Sequence, residues 1–272
     1  MVDLSQAVGF SVQLDPDTLT LRFGEGIISF GSEEIHFDDL APMLLNAESN
    51  GPDLITRIYP EVLQNTDREL LATKRLRFEF TVMASGSLGD EEIKTRGHYH
   101  SLVPETNLSY PKVIEVIQGR CFFLLQKAEP PYEKLEDAVL IMANARERVV
   151  IPPGYGHLEI NPTEGPVVLM SCVSSEMLPV RGPYLQRKGA CYYATRAEKT
   201  TLLVPNEAYP NIPTLRVGSA HELPDFAKTG EGLYLSMIHE PWRLDVLSHP
   251  ERYHELFAEA LDSAHIMRGL LL

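Results

Sequence analysis

The sequence predicts an all-β core, an antiparallel sandwich or barrel, and three observations carry that prediction. Between Leu76 and about Val173 lie seven or eight short segments rich in Val, Ile, Phe and Leu: LRFEFTVM, EEIKTRGHYH, KVIEVIQG, RCFFLLQ, AVLIMA, RVVIPP, GHLEIN and GPVVLMSCV. Gly, Pro or charged residues break each segment from the next, the punctuation expected of strands joined by turns. No long helical period interrupts the series.

The flanks read differently. The first thirty residues hold three short strand patterns, FSVQLD, TLTLRF after the turn-like Asp15–Pro16–Asp17, and GIISF. A helix is expected within Phe37 to Ala47, where Leu40, Met43, Leu44 and Leu45 are spaced for one face and Pro42 is tolerable only in a first turn. After Ser174 the pattern loosens: CYYATR reads as a further strand and LLVPNEAYPNIPTLRV as an extended, proline-bound stretch. Beyond Pro250, the helical spacing of Leu256, Phe257, Ala260, Leu261 and Ile266 predicts a C-terminal helix, and proline suits its start. There is no internal repeat and no low-complexity tract. The organisation expected is a barrel over 76–200, with strands and a helix of 1–75 packed on it and an extended segment and helix over 201–272.

Composition narrows the function classes. With 272 residues, 44% hydrophobic and 23% charged, the chain reads as an ordinary globular protein able to bury a full core. A net charge of −14 repels nucleic acid and anionic membranes, so neither is an expected partner. A small anionic substrate is compatible with that charge, because a local cluster of donors can overcome a diffuse field. The opening MVDLSQAVGFSVQLD lacks the basic and apolar regions of a signal peptide, and no stretch approaches the roughly 20 apolar residues of a membrane helix. The three cysteines, Cys121, Cys172 and Cys191, are an odd number with no CxxC spacing. Cys121 and Cys172 sit in apolar runs and read as buried thiols. A cytoplasmic location is the expectation.

Of the nine histidines, three stand out by context. His98 and His100, in TRGHYH, are two apart on a strand pattern, so both imidazoles project from one face and can reach a single ion. His157 lies in PPGYGHLEIN, which contains Pro152, Gly154, His157 and Asn161 as P-x-G-x-x-H-x-x-x-N. Proline and glycine make the tight turn that returns His157 to the barrel wall. A divalent transition-metal ion suits imidazole ligands together with a carboxylate or water. His36, His221, His239, His249, His254 and His265 share no motif and read as surface or satisfied core residues.

The strings FTVMASGSLG, TRGHYH, YPKVIEVIQG and VIPPGYGH, in that order and spacing, resemble the cupin-type glucose-6-phosphate isomerases over roughly Phe78 to Val173. The resemblance implies a double-stranded β-helix, the cupin jelly-roll barrel, with a bound divalent ion and interconversion of an aldose phosphate with a ketose phosphate. It also implies a homodimer in the cytoplasm. The family's phosphate-holding threonines and glycine carry over to Thr81, Thr95 and Gly97. A hairpin turning near Leu88 would make Thr81 and Thr95 cross-strand neighbours. Strict alternation sets Thr95 and Gly97 opposite His98, and a bulge at Gly97 would resolve that.

The pattern also departs from the family. Its metal carboxylate falls on Lys112 here, its pocket tyrosine on Ile114, and a further pocket histidine has no counterpart. Glu115 has the opposite parity to Lys112 and is expected to face outward. Three readings stay open: Glu105 rebuilds the carboxylate ligand, with Thr106 to Pro111 as an inserted loop; the three histidines hold the ion with water; or the Lys112 ammonium takes the ion's place. Glu105 and Lys112 are the candidate catalytic residues, and a hydride shift would need neither. Two functions follow, a metal-dependent aldose–ketose isomerase or a sugar-phosphate-binding cupin with impaired catalysis. A cupin dioxygenase is a third, and the phosphate-type threonines count against it.

Overall fold

Two large sheets, antiparallel but for one pair, take up most of the strands from Leu76 to Val173, while Val12–Asp15 pairs with Thr20–Phe23 and Ile27–Ser29 with Val62–Gln64 in separate small sheets. The computed structural model describes residues 1–197, 200–220, 230–258, 261 and 265–266. One sheet has six strands in the order Arg148–Ile151, Lys112–Gln118, Val167–Ser174, Leu76–Met83, Leu54–Tyr59 and Glu33–His36. The other runs Thr200–Pro205, Tyr192–Ala197, Glu91–Lys94, Tyr155–Asn161, Arg120–Lys127, Asp137–Asn144, Arg216–Ser219 and His265–Ile266, with Ser87–Leu88 pairing beside Glu91–Lys94. Between Leu76 and Ser174 the chain passes repeatedly from one sheet to the other: Lys112–Gln118 lies in the first, Arg120–Lys127 and Asp137–Asn144 pair in the second, Arg148–Ile151 returns to the first, Tyr155–Asn161 to the second and Val167–Ser174 to the first. That alternation makes a jelly-roll barrel. Asp137–Asn144 with Arg216–Ser219 is a parallel pair.

Burial on both faces explains why the strands read as apolar runs and not as alternating ones. Between the sheets, Met83, Ile114, Val116, Ile151 and Leu169 meet Ile93, Cys121, Phe123, Leu125 and Ile141. The outer face of the six-stranded sheet, with Phe78, Phe80, Val113, Ile117 and Met170, is covered by Val12, Leu14 and Leu21 and by Leu233, Tyr234 and Met237 of the helix Leu233–His239. The outer face of the nine-stranded sheet, with Phe122, Leu124, Leu140 and Leu158, is covered by Tyr184, Cys191, Leu203 and Tyr209. The terminal segments thus cap both outer faces. All three cysteines are free and buried.

Several sequence expectations are corrected. The Phe37–Ala47 segment forms one α-helical turn, Phe37–Leu40, continued by a 3-10 turn, Ala41–Met43, with Pro42 inside the latter. Leu45 is exposed, away from the face shared by Leu40 and Leu44. Among the described residues the C-terminal helix covers His254–Ala258, after a 3-10 turn at Pro250–Arg252. Ile266 belongs to a strand paired with Arg216–Ser219, where a sheet edge offers free backbone groups. Ala260 and His221 lie outside the described residues. Glu115 does face away from the barrel interior, but it is buried: Oε2 accepts hydrogen bonds from Arg148 Nε at 2.9 Å and from the Leu233 backbone N–H at 2.6 Å. The helix Leu233–His239 lies over it, a cover that strand parity alone cannot reveal. No described helix is long and apolar enough to cross a membrane.

Candidate functional site

The three motif histidines meet at one end of the barrel. His98 and His157 are bridged by reciprocal backbone hydrogen bonds, His98 N–H to the His157 carbonyl at 3.1 Å and His157 N–H to the His98 carbonyl at 3.0 Å. His100 follows on the short strand Tyr99–His100, which pairs with Pro179–Val180. One candidate ligand atom from each ring can be chosen so that all lie within 4.8 Å of one another. Two turns set the geometry. Gly154, at φ +84°, makes the turn before His157, and its N–H donates to Ser109 Oγ at 2.8 Å. Asn161 fixes the far end of that strand, donating to the carbonyls of Ala84 and Gly165 at 2.8 and 2.9 Å.

These rings suit a divalent cation. The His100 Nδ1–H donates to the Tyr110 carbonyl at 2.6 Å, which leaves its Nε2 as a lone pair 3.1 Å from Nε2 of His157. Glu159 Oε1 lies 2.8 Å from Nδ1 of His157, a charge contact off the direction of a good hydrogen bond. The Nε2 atoms of His100 and His157 thus converge with His98 beside them, an arrangement that a bound cation satisfies and that a carboxylate behind a histidine normally tunes. Burial, then the neighbouring histidines and Lys112, hold the pKa of His98 well below the usual imidazole value. Burial, then His157 and Lys112, do the same at His100. Both rings are therefore neutral and able to coordinate at pH 7.

The histidine cluster borders a cavity of about 500 Å³ inside the barrel mouth. Thr81, Thr95, Gly97, His98 and Lys112 all line it, so the structure brings these sequence candidates together with the histidines. The route differs from the expected hairpin. Leu76–Met83 pairs with Val167–Ser174 and Leu54–Tyr59, while Glu91–Lys94 pairs with Tyr155–Asn161 and Tyr192–Ala197. Thr81 therefore lies in one sheet and Thr95 directly after a strand of the other, because the turn between them crosses from one sheet to the other. The parity problem is solved without a paired bulge: the strand stops at Lys94, and Gly97 turns the chain at φ +71° so that Thr95, Gly97 and His98 share the cavity. A Cβ on Gly97 would fall 2.6 Å from the ring of Tyr184.

Glu105 is not in this cavity. It is exposed in the loop after His100, at φ +62°, and is absent from the ion-competent cluster among the described residues. Lys112 is inside, buried, with Nζ 2.7 Å from Oε2 of Glu79. Glu79 also pairs with Arg77 Nε at 2.9 Å. Burial raises the Glu79 pKa, but Lys112 and Arg77 outweigh it and hold the group down at about 2. Glu159 is held at about 2 in the same way, burial being outweighed by His157, Lys112 and Thr95. Sequence reading missed Glu79 and Glu159. The signal was available, since Glu79 alternates in phase with Thr81 and Glu159 lies between His157 and Asn161, but neither is a defining position of a motif.

The sequence model of the glucose-6-phosphate isomerase (GPI) family matches residues 37–228, well over half of the chain. The chain belongs to the cupin-type glucose-6-phosphate isomerase family. It is 23% identical over 164 residues to the glucose-6-phosphate isomerase of Thermococcus litoralis, covering 58% of this chain and 77% of that one. Among solved structures, the family member is similar to the vicilin from Solanum melongena, at 13% identity and a TM-score of 0.34, over 48% of this chain and 32% of that one. It is also similar to the polyketide cyclase RemF from Streptomyces resistomycificus, at 17% identity and a TM-score of 0.30, over 46% of this chain and 69% of that one. This isomerase-family chain thus spans about a third of the vicilin.

Proposed function

We propose that this chain is a metal-dependent isomerase interconverting glucose 6-phosphate and fructose 6-phosphate. The observation that carries the reading is the convergence of His98, His100 and His157 beside the barrel cavity, with two Nε2 atoms 3.1 Å apart, in a chain of this family. A divalent ion held by these three imidazoles would supply Lewis-acid polarisation of the sugar's C1 and C2 oxygens. The chain's own groups do the remaining work. Lys112 Nζ, steadied by Glu79, can donate a hydrogen bond to a sugar oxygen and stabilise negative charge developing there. Glu79 and Glu159, both held at about 2, are poor proton acceptors at neutral pH.

The test is direct: quantify bound metal in the purified protein and assay interconversion before and after chelation. The proposal expects turnover that falls with the chelator and returns with added divalent ion. A second reading, a sugar-phosphate-binding protein without turnover, is favoured by Lys112, whose ammonium brings a positive charge to an ion site. Binding of glucose 6-phosphate with neither metal nor turnover would establish that reading and end the first.

A further inference from the structure

His98 and His157 each follow a glycine, and both glycines rest against one tyrosine. A Cβ on Gly97 would fall 2.6 Å from two ring carbons of Tyr184, and one on Gly156 would fall 2.8 Å from the Tyr184 hydroxyl. The ring of Tyr99 also stands 2.8 Å from that second position, its centroid 5.5 Å from that of Tyr184. Tyr184 is fully buried, does not line the barrel cavity, and packs in the apolar cluster on the outer face of the nine-stranded sheet. Neighbouring residues of an extended chain face opposite ways, so a contact at 156 lies behind the imidazole at 157. Tyr184 thus touches the barrel wall from outside, directly before two of the three imidazoles.

The tyrosine is itself firmly placed. Val180 pairs with Tyr99 and Pro179 with His100, and the short helix Gly182–Gln186 then carries Tyr184, whose carbonyl accepts the Gly189 N–H at 2.7 Å. Tyr99 is held from its other end, its hydroxyl accepting a hydrogen bond from Gln126 Nε2 at 2.9 Å. The Tyr184 hydroxyl, by contrast, is buried and has no hydrogen-bond partner. An unpaired buried hydroxyl destabilises, so what this side chain supplies here is contact and not hydrogen bonding. Close-packed interiors pass a displacement from side chain to backbone. Ligand distances at a metal are held within about 0.2 Å, so a small shift of either histidine backbone is felt at the ion.

We propose that Tyr184 is a positioning residue for the imidazole cluster: its ring props the chain before His98 and its hydroxyl end the chain before His157, and together these contacts set the spacing of the two rings. This rests on the ion-binding part of the isomerase reading, and requires only that the three histidines hold a divalent cation.

Co²⁺ titrated into the metal-free full chain and followed by visible absorption reads affinity and ligand geometry together. Tyr184→Phe keeps the ring beside Gly97 and deletes the unpaired hydroxyl. It should bind Co²⁺ within about threefold of the wild type, with the same absorption band and an unchanged or higher thermal midpoint. Tyr184→Leu should weaken Co²⁺ by about tenfold or more and shift the band. Leu203→Ala, at another fully buried position of the same outer cluster, should lower the thermal midpoint and leave both Co²⁺ readouts unchanged. A folded Tyr184→Leu with wild-type affinity and band overturns the positioning role and leaves the ion site standing, as does a loss that Leu203→Ala shares. If Tyr184→Leu does not fold, Gly156→Ala decides, since its methyl would press on the Tyr184 hydroxyl and the Tyr99 ring. It should weaken Co²⁺, and adding Tyr184→Phe should recover part of the loss; no loss, or no recovery, overturns the role. A wild type that binds no Co²⁺ removes the ion site and the role with it.

Discussion

A lysine ammonium in a barrel wall beside three imidazoles is costly unless a carboxylate answers it, and Glu79 does so at 2.7 Å. Lys112→Glu reverses that charge. It should strengthen binding of a divalent ion by at least about tenfold, the ~1.4 kcal/mol or more that a charge reversal within several ångströms supplies. A competition titration against a metal-binding dye reads this, and unchanged affinity would mean that Lys112 is not felt at the ion. Glu79 also gives a pH signature. Its pKa is depressed from 4.5 to about 2, so its contribution to stability is full above the ordinary value and is lost as pH falls through that window. Thermal midpoints of the wild type should therefore drop steeply between about pH 4.5 and pH 2. Glu79→Gln, less stable at pH 7, should show a shallower drop. Parallel curves for the two proteins would contradict the Glu79 assignment.

Among elements, the helix Leu233–His239 is tied to the barrel by a buried ion pair. Arg148 and Glu115 are each 1% exposed in their side chains, and Glu115 also accepts the Leu233 N–H at the start of that helix. Removing one partner strands the other charge in the core. Glu115→Ala should destabilise the protein by roughly 3–5 kcal/mol, read from the denaturant midpoint, against about 1 kcal/mol for an exposed pair. A loss near the lower figure would mean that water reaches the pair. The same helix shows where sequence reading runs short. Strand parity separates Glu115 from Lys112 correctly, but only the distant segment at 233–239 turns an outward residue into a buried one.

Across the molecule, the legible part was the set of strands and the histidine motif, both of which rest on local patterns. Hydrophobic runs bounded by Gly, Pro or charged residues marked the strands from Leu76 to Val173, although EEIKTRGHYH divides into Glu91–Lys94 and Tyr99–His100, and HxH with PxGxxH named the residues that meet beside the cavity. What stayed hidden depends on pairing between distant strands. Thr81 and Thr95 are consecutive in the motif order, yet Thr81 lies in one sheet and Thr95 directly after a strand of the other, and Thr56 and Arg181 enter the cavity from outside the matched strings. Ile266 carries a helical spacing but pairs as an edge strand. Glu79 and Glu159 look like ordinary strand carboxylates until the barrel closes around them.

All of this rests on a single ion shared by three imidazoles. Calorimetric titration of metal-stripped protein with Mn²⁺ and Zn²⁺, wild type beside His157→Ala, tests it most directly. The account predicts one ion per chain in the wild type and loss of that binding in the variant. Equal binding by both proteins, or none by the wild type, would contradict it.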